Sequence, residues 1–307
     1  MGRTHAIHGF IAGLTAGQLG GANAPTTLVL GMLGAGAAIA PDLDHPNATA
    51  SKSLGPISWA ASAGIRAISR RVYAATKTRY DRPNANGHRG ITHTWPGALA
   101  LGAFFGGGCG LAELFGGPSA GRWAIIVVLW LFLVWALRGL PPVGRWVNTV
   151  LRLPLVWALR GLPPAGWWTT IALRLFLVWV LRGLPPRGSR VQDYLTATVL
   201  TVVAFRVLVA TYPTGLPVLL GGTIAMGAYA HAIGDSLTDY GAPLAFPLVI
   251  GGQRWYPCGP PKPLRFKAGK TVENLLVFPA SLLGAVTVLV WLMGAWPRIA
   301  HAVSVAL

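Results

Sequence analysis

The stretch "YAHAIGDSLTDYGAP", residues 229–243, closes a long apolar run and places His231 and Asp235 four residues apart. On a helix this spacing puts both side chains on one face, the i, i+4 geometry that helical metal sites use. A buried His–Asp hydrogen bond would satisfy the same spacing. The choice between them depends on what the apolar run is and on which other polar groups reach its end.

Composition answers the first question. Of 307 residues, 53% are hydrophobic and only 11% charged, whereas a soluble domain is usually about 25% charged. Apolar stretches recur at the length of a membrane helix, roughly 20 residues. Leu275 to Trp296 runs 22 residues without one charge. The fold class is therefore an all-α, polytopic transmembrane bundle. A net charge of +17, from 25 Lys and Arg against eight acids, points to nucleic acid in a soluble protein. In a membrane protein it first reports topology, because basic residues collect in cytoplasmic loops, and then attraction to anionic lipid. Cys109 and Cys258 stand alone and give neither a disulfide framework nor a CxxC knuckle.

Working outward, 216–233 pairs with 196–212 as a hairpin about "YPTG". Residues 239–274 form a basic loop rich in Pro and Gly, followed by the last span. At the other end of the chain, 5–21 and 26–40 are Gly/Ala-rich and short, a helical hairpin whose small residues permit close approach in lipid. A polar stretch follows at 41–94 with eight Lys and Arg, then a span at 95–115. Between them lies a repeat: "LVWALRGLPP" at 133–142 returns at 155–164, and "LVWVLRGLPP" follows at 177–186, a period of 22. Each unit is an apolar helix ended by Gly-Leu-Pro-Pro, since proline cannot continue the hydrogen-bond ladder. With no acid, histidine or cysteine, the repeats read as scaffold. The domain division is 1–120, an inserted repeat segment at 121–190, and 191–307.

The two most basic loops, 41–94 and 239–274, belong in the cytoplasm. With the first hairpin returning to its own side, an odd number of crossings is required between about 121 and 190. Three repeats, or one, satisfy that count.

Six of seven histidines and four of eight acids then fall in short clusters on the cytoplasmic side. Ionisable groups at membrane depth are costly and usually functional. "THAIH" sets His5 and His8 on one helical face, suited to a metal or to interfacial anchoring. "APDLDHP" gives Asp42, Asp44 and His45, more than a helix cap needs. "NGHRGITHT" gives His88 and His93 with Arg89 and Thr92 beside them. Each cluster alone also fits a structural role; together they suit a divalent cation. Imidazole and carboxylate without thiolate favour Zn, with Mn, Fe or Mg also compatible.

At these motifs the sequence resembles the YdjM-like family of LexA-binding, inner-membrane-associated metal-dependent hydrolases. Thr4-His5, "PDLDH" at 41–45, "HRGITHT" at 88–94, "HAIGDSLTDYGAPLAFPL" at 231–248 and "LRFKAGKTVE" at 264–273 carry the resemblance, over roughly 1–115 and 190–295. It implies a multi-pass protein of the bacterial inner membrane and a fold related to the zinc-dependent phospholipase C and nuclease bundle. It implies His5, Asp42, His88, His93, His231 and Asp235 as metal ligands, with Asp44, His45 and Glu273 in supporting roles. A regulatory protein partner is implied only through the family's name.

The expected activity is metal-assisted hydrolysis of a phosphoester, with a lipid headgroup as the first substrate class and nucleic acid the second. Asp44 or Glu273 is the expected general base, and Arg89 would neutralise phosphate charge. One alternative is a membrane scaffold or regulator with a structural metal. Another is a transporter, which would carry ionisable groups at mid-membrane on several helices.

Overall fold

The glycines of the first forty residues mark where backbones meet. In the computed structural model, which describes residues 2–81, 88–140, 190–212, 214–292 and 294, α1 (Gly2–Leu19) and α2 (Ala24–Ala37) form the expected hairpin. A Cβ placed at Gly13 would lie 2.1 Å from the Leu30 carbonyl oxygen, so only glycine permits this approach. Asn23 caps α2 by accepting a hydrogen bond from the Thr26 amide at 3.0 Å, and Pro25 occupies the first turn, where its missing N–H costs nothing.

Beyond α2 come α3 (Pro56–Thr76), α4 (Trp95–Gly139), α5 (Arg190–Thr211), α6 (Leu216–Ser236) and α7 (Phe278–Leu292). Among the described residues there is no strand. A straight helix of 45 residues would be about 68 Å long, but α4 is folded back on itself. Gly117 takes φ 77° and ψ 178° and is followed by Pro118. Phe105 and Phe132, 27 positions apart, have ring centroids 5.0 Å apart. The arms 95–116 and 118–139 therefore run antiparallel, the first being the expected span.

The second arm is the centre of the bundle. Leu129, Phe132, Leu133 and Trp135 are buried, and the backbone of Phe132 presses on α2 at Gly36. The described part of the first repeat, 133–140, thus belongs to the core, and its helix stops at Gly139, where the Gly-Leu-Pro-Pro signal begins. A boundary at 121 falls within this arm. The second and third repeats lie outside the described residues.

Side-chain ties fix which helix ends share a side. Trp135 Nε1 donates to Ser53 Oγ at 2.8 Å, and Arg138 and the Tyr194 hydroxyl both donate to the Ser53 carbonyl. At the opposite end Thr26 and Thr211 hydroxyls meet at 2.8 Å. Hence α1, the first arm of α4, α5 and α7 leave the end that holds both basic loops, and α2, the second arm and α6 return to it. Residues 140 and 190 stand at the same end, so the described helices close the crossing count with one crossing from the 118–139 arm.

Among the described residues five helices are long and apolar enough to cross a membrane: Ala24–Asp44, Trp95–Gly139, Arg190–Thr211, Leu216–Ser236 and Glu273–Leu292. Outward-facing Leu99, Phe104, Leu111, Val202 and Leu283 are exposed, as lipid contact requires.

The polar stretch at 41–94 contains an element its sequence pattern does not announce. The inward face of α3 is Ser58, Ser62, Ser69 and Tyr73, so the apolar stripe that signals a packed helix is missing. Its C-terminal end holds the loop 239–274. Trp255 Nε1 donates to Thr76 Oγ1, Asp81 accepts from the Trp255 amide, and Phe246 packs against Trp255 with ring centroids 4.4 Å apart and planes tilted by 34°.

Helix contact through glycine gives a sharp expectation. A Cβ at Gly36 would sit 1.9 Å from the Phe132 oxygen, whereas one at Gly107 meets nothing within 4 Å. Gly36→Ala should destabilise by about 1–3 kcal/mol through overpacking, and Gly107→Ala should not, as read by thermal unfolding in detergent.

Candidate metal centre

Two short turns and two helices bring the ionisable groups together. After α2, Pro41–Asp44 makes a tight 3-10 turn that carries Asp42 and Asp44. Ser51 donates to the His45 carbonyl at 2.6 Å and clamps that turn. The turn Ile91–His93 enters α4, with Thr94 capping the Gly97 amide. His231 and Asp235 lie one turn apart on α6, and His5 lies in the first turns of α1.

Asp44 is fully buried and organises one side. Its Oδ1 is 2.7 Å from His88 Nδ1, and its Oδ2 accepts from Thr92 Oγ1 at 2.7 Å and from the Arg89 amide at 3.1 Å. The Arg89 amide reaches it because Arg89 adopts φ 54°, a left-handed conformation that costs about 1–2 kcal/mol for a non-glycine residue. The same residue sends its guanidinium across the site: Nε to Asp235 Oδ2 at 2.9 Å, and Nη1 to Thr238 Oγ1 and the Gly241 carbonyl.

His93 links the two sides. Its Nδ1 is 3.3 Å from Asp44 Oδ2 and its Nε2 is 3.3 Å from Asp235 Oδ2 and 3.1 Å from His231 Nε2. His231 Nδ1 donates to the Ala38 carbonyl at 2.7 Å, which fixes its tautomer and leaves Nε2 with a bare lone pair. Asp44 holds the His93 Nδ1 proton in the same way. The two Nε2 atoms then face one another with Asp235 and Asp42 beside them, an arrangement that a shared proton or a metal ion could join.

The spacing fits one. Metal–ligand bonds of about 2.0–2.1 Å in a tetrahedral site put neighbouring donor atoms roughly 3.3–3.4 Å apart. Here Asp235 Oδ2 is 3.3 Å from His93 Nε2 and 3.8 Å from His231 Nε2, Asp235 Oδ1 is 3.3 Å from His5 Nε2, and His231 Nε2–Asp42 Oδ1 is 3.6 Å. Two groups could hold an ion: Asp42, Asp44, His88 and His93, and the fully buried His5, His231 and Asp235, with the donor atoms of each group within 4.8 Å of one another. His5 stacks on His231 at 3.9 Å, and its Nδ1 is buried without a hydrogen-bond partner.

The six residues expected as ligands are divided between these two groups, which meet where His93 approaches Asp235. The supporting residues divide. Asp44 serves as a hub with both oxygens engaged, and Arg89 is committed to Asp235. Glu273 stands apart from both groups: its oxygens accept from Thr4 Oγ1 at 2.7 Å and the Gly269 amide at 2.6 Å, tying α7 to α1. His8 separates from His5 and meets Ser281 at 2.8 Å. The Ala38 carbonyl carries no sequence signal. Thr238, which donates to the Asp235 carbonyl while accepting from Arg89, is visible only as a hydroxyl three residues after Asp235.

Burial by itself lowers the pKa of His93, but the charges of Asp44 and Asp235 dominate and raise it to about 10. Without a metal, a proton supplies the missing positive charge.

The family model of the YdjM inner membrane protein matches residues 1–184, more than half of the chain, and the chain belongs to that family. It is a multi-pass inner membrane protein. The matched residues include His5, Asp42, Asp44, His88, Arg89 and His93, while the pair on α6 stands beyond them. No curated protein and no solved structure matches the chain.

The raised pKa sets a pH dependence. In metal-stripped protein the stability from charged His93 is complete below its ordinary 6.5 and is lost as pH rises through about 10. The thermal midpoint should fall over that window, the fall should be smaller in His93→Gln, and added Zn should remove it by replacing the proton.

Proposed function

We propose that this YdjM-family chain is a metal-dependent hydrolase acting on a phosphoester at the cytoplasmic face of the inner membrane. The observation that carries the reading is the pair of opposed imidazoles, His93 and His231, with Asp235 beside them near the donor spacing of a tetrahedral ion. His5, His93, His231 and Asp235 would hold the metal. With nitrogen and oxygen donors and no thiolate, Zn is the first choice. When bound, such an ion polarises a phosphoryl oxygen and lowers the pKa of a water from about 15.7 to about 7.

The chain's own residues divide the remaining work. Asp42 has a side chain 24% exposed beside His231 Nε2, so it faces the substrate's path and takes the proton of the attacking water. This role moves to Asp42 because Asp44 and Glu273 have their oxygens engaged elsewhere. His45 Nδ1 accepts from the Asn47 amide at 3.2 Å, which leaves its proton on Nε2. Its ring is 5.0 Å from that of His88, at the open edge, where it donates to the leaving oxygen. Arg89 orients Asp235 and adds positive charge beside the phosphoryl group. The membrane setting favours a lipid headgroup over nucleic acid, as does the relation to the zinc-dependent phospholipase C group that family membership would imply.

A structural metal is the second reading, favoured by the engagement of both Asp44 oxygens and by Arg89 on Asp235. Zn-loaded protein assayed on phospholipid and on a simple phosphodiester separates the two. Asp42→Asn should keep bound metal and lose about 10²–10⁴-fold in turnover, whereas His231→Ala should lose both metal and turnover. Metal-loaded wild type without turnover on either substrate supports the structural role, and full turnover by Asp42→Asn removes Asp42 as the base.

A further inference from the structure

Beside the metal centre, on the outer side of the turn that carries Asp42 and Asp44, a cleft of about 420 Å³ opens to solvent. Its walls are Pro46, Asn47, Ser51, Lys52 and Gly55 from the segment that follows that turn, Trp59 from α3 and Arg190 from α5. Lys52 and Arg190 are both exposed, and no acidic side chain lines the cavity. Neither forms an ion pair with an acid among the described residues. The nearest carboxylate on α5, Asp193, is already paired with Arg138 at 3.4 Å.

Three further features point to an anion at a membrane surface. The N-terminus of the 21-residue α3 opens on the cleft through Gly55, which offers no side-chain cap, so the positive end of the helix dipole is left for a ligand. Trp59 is 62% exposed on the rim with Ile57, 74% exposed, two positions away, the aromatic and apolar character found at the headgroup level of a bilayer. The depth is right as well. Ser53, next to Lys52, is tied to Trp135, Arg138 and Tyr194, the ends of two spans as they leave the membrane.

We infer that this cleft binds the phosphate of an anionic phospholipid headgroup, with Lys52 and Arg190 as its charge partners and Trp59 against the adjoining glycerol and acyl carbons. The site is distinct from the metal centre and does not depend on hydrolysis. A lipid seated in it places a headgroup against the Asp42 turn.

The test is lipid binding by the full chain in neutral detergent, read by native mass spectrometry with phosphatidylglycerol, phosphatidylcholine or inorganic phosphate as probes. Wild type should bind phosphatidylglycerol in preference to phosphatidylcholine. Lys52→Ala and Arg190→Ala should each weaken it about fivefold, and the double variant by about 25-fold. Arg70→Ala/Arg71→Ala removes the same charge from an exposed part of α3 outside the cleft and should bind as wild type does. Equal losses from the two double variants would overturn the site in favour of diffuse attraction, and wild-type affinity in Lys52→Ala/Arg190→Ala would overturn it outright. Free phosphate bound as tightly as the lipid, and lost in the same variants, would overturn the lipid assignment.

Discussion

The structure depends on a buried electrostatic imbalance. Asp44 and Asp235 stand on opposite sides of His93, both almost without solvent access, and Asp42 and His231 close the group. Removing charges from water costs several kcal/mol per ion, and breaking such a pair typically costs about 3–5 kcal/mol. The arrangement holds only because each carboxylate is met by donors: His88, Thr92 and the Arg89 amide at Asp44, and the Arg89 guanidinium at Asp235. What those donors leave unmet is the space between the His93 and His231 nitrogens. A cation there, proton or metal, completes the charge balance.

The rest of the fold can be read as the means of holding four chain segments to that tolerance. A site assembled from α1, the α2 turn, the 88–93 turn and α6 needs helix ends that cannot drift. Apolar burial gives little drive for helix association inside lipid, so close backbone packing has to supply it. That explains why glycine is placed where helices cross, at Gly13 against Leu30 and Gly36 against Phe132. It also explains why hydrogen bonds such as Thr26–Thr211 fasten the end remote from the site. The strained backbone at Arg89 follows from the same demand, since one residue contacts both carboxylates.

Much of this was legible in the sequence, and the parts that were not share a cause. The spans, both hairpins and the convergence of His5, Asp42, His88, His93, His231 and Asp235 follow from apolar length, proline and glycine punctuation, and the polarity of short motifs. The roles of the supporting groups do not. Asp44 and Asp42 are two residues apart in one motif, and nothing in "PDLD" tells which is sealed by Thr92 and which faces solvent. Glu273 looks like a spare acid until Thr4 and Gly269 are seen to occupy it. Helix α3 escaped pattern reading because it buries serines, and the extent of the 118–139 arm was hidden by a repeat that made 121–190 look like one kind of segment.

The division of labour between Asp42 and Asp44 bears on why such a site lies at helix ends. At mid-membrane every ionisable group needs a partner within the protein, which leaves no carboxylate free to exchange protons with water. At the end of α2 the short 3-10 turn directs one acid inward, where it is fully buried, and holds the other at 24% exposure. A single turn of chain thus spans the boundary between the low-dielectric bundle and the aqueous surface. The inward acid fixes the histidine geometry at the cost of its own reactivity. The outward acid stays partly open to water, as the proposed role of a base would require, and the cleft lined by Lys52 and Arg190 begins just after the same turn.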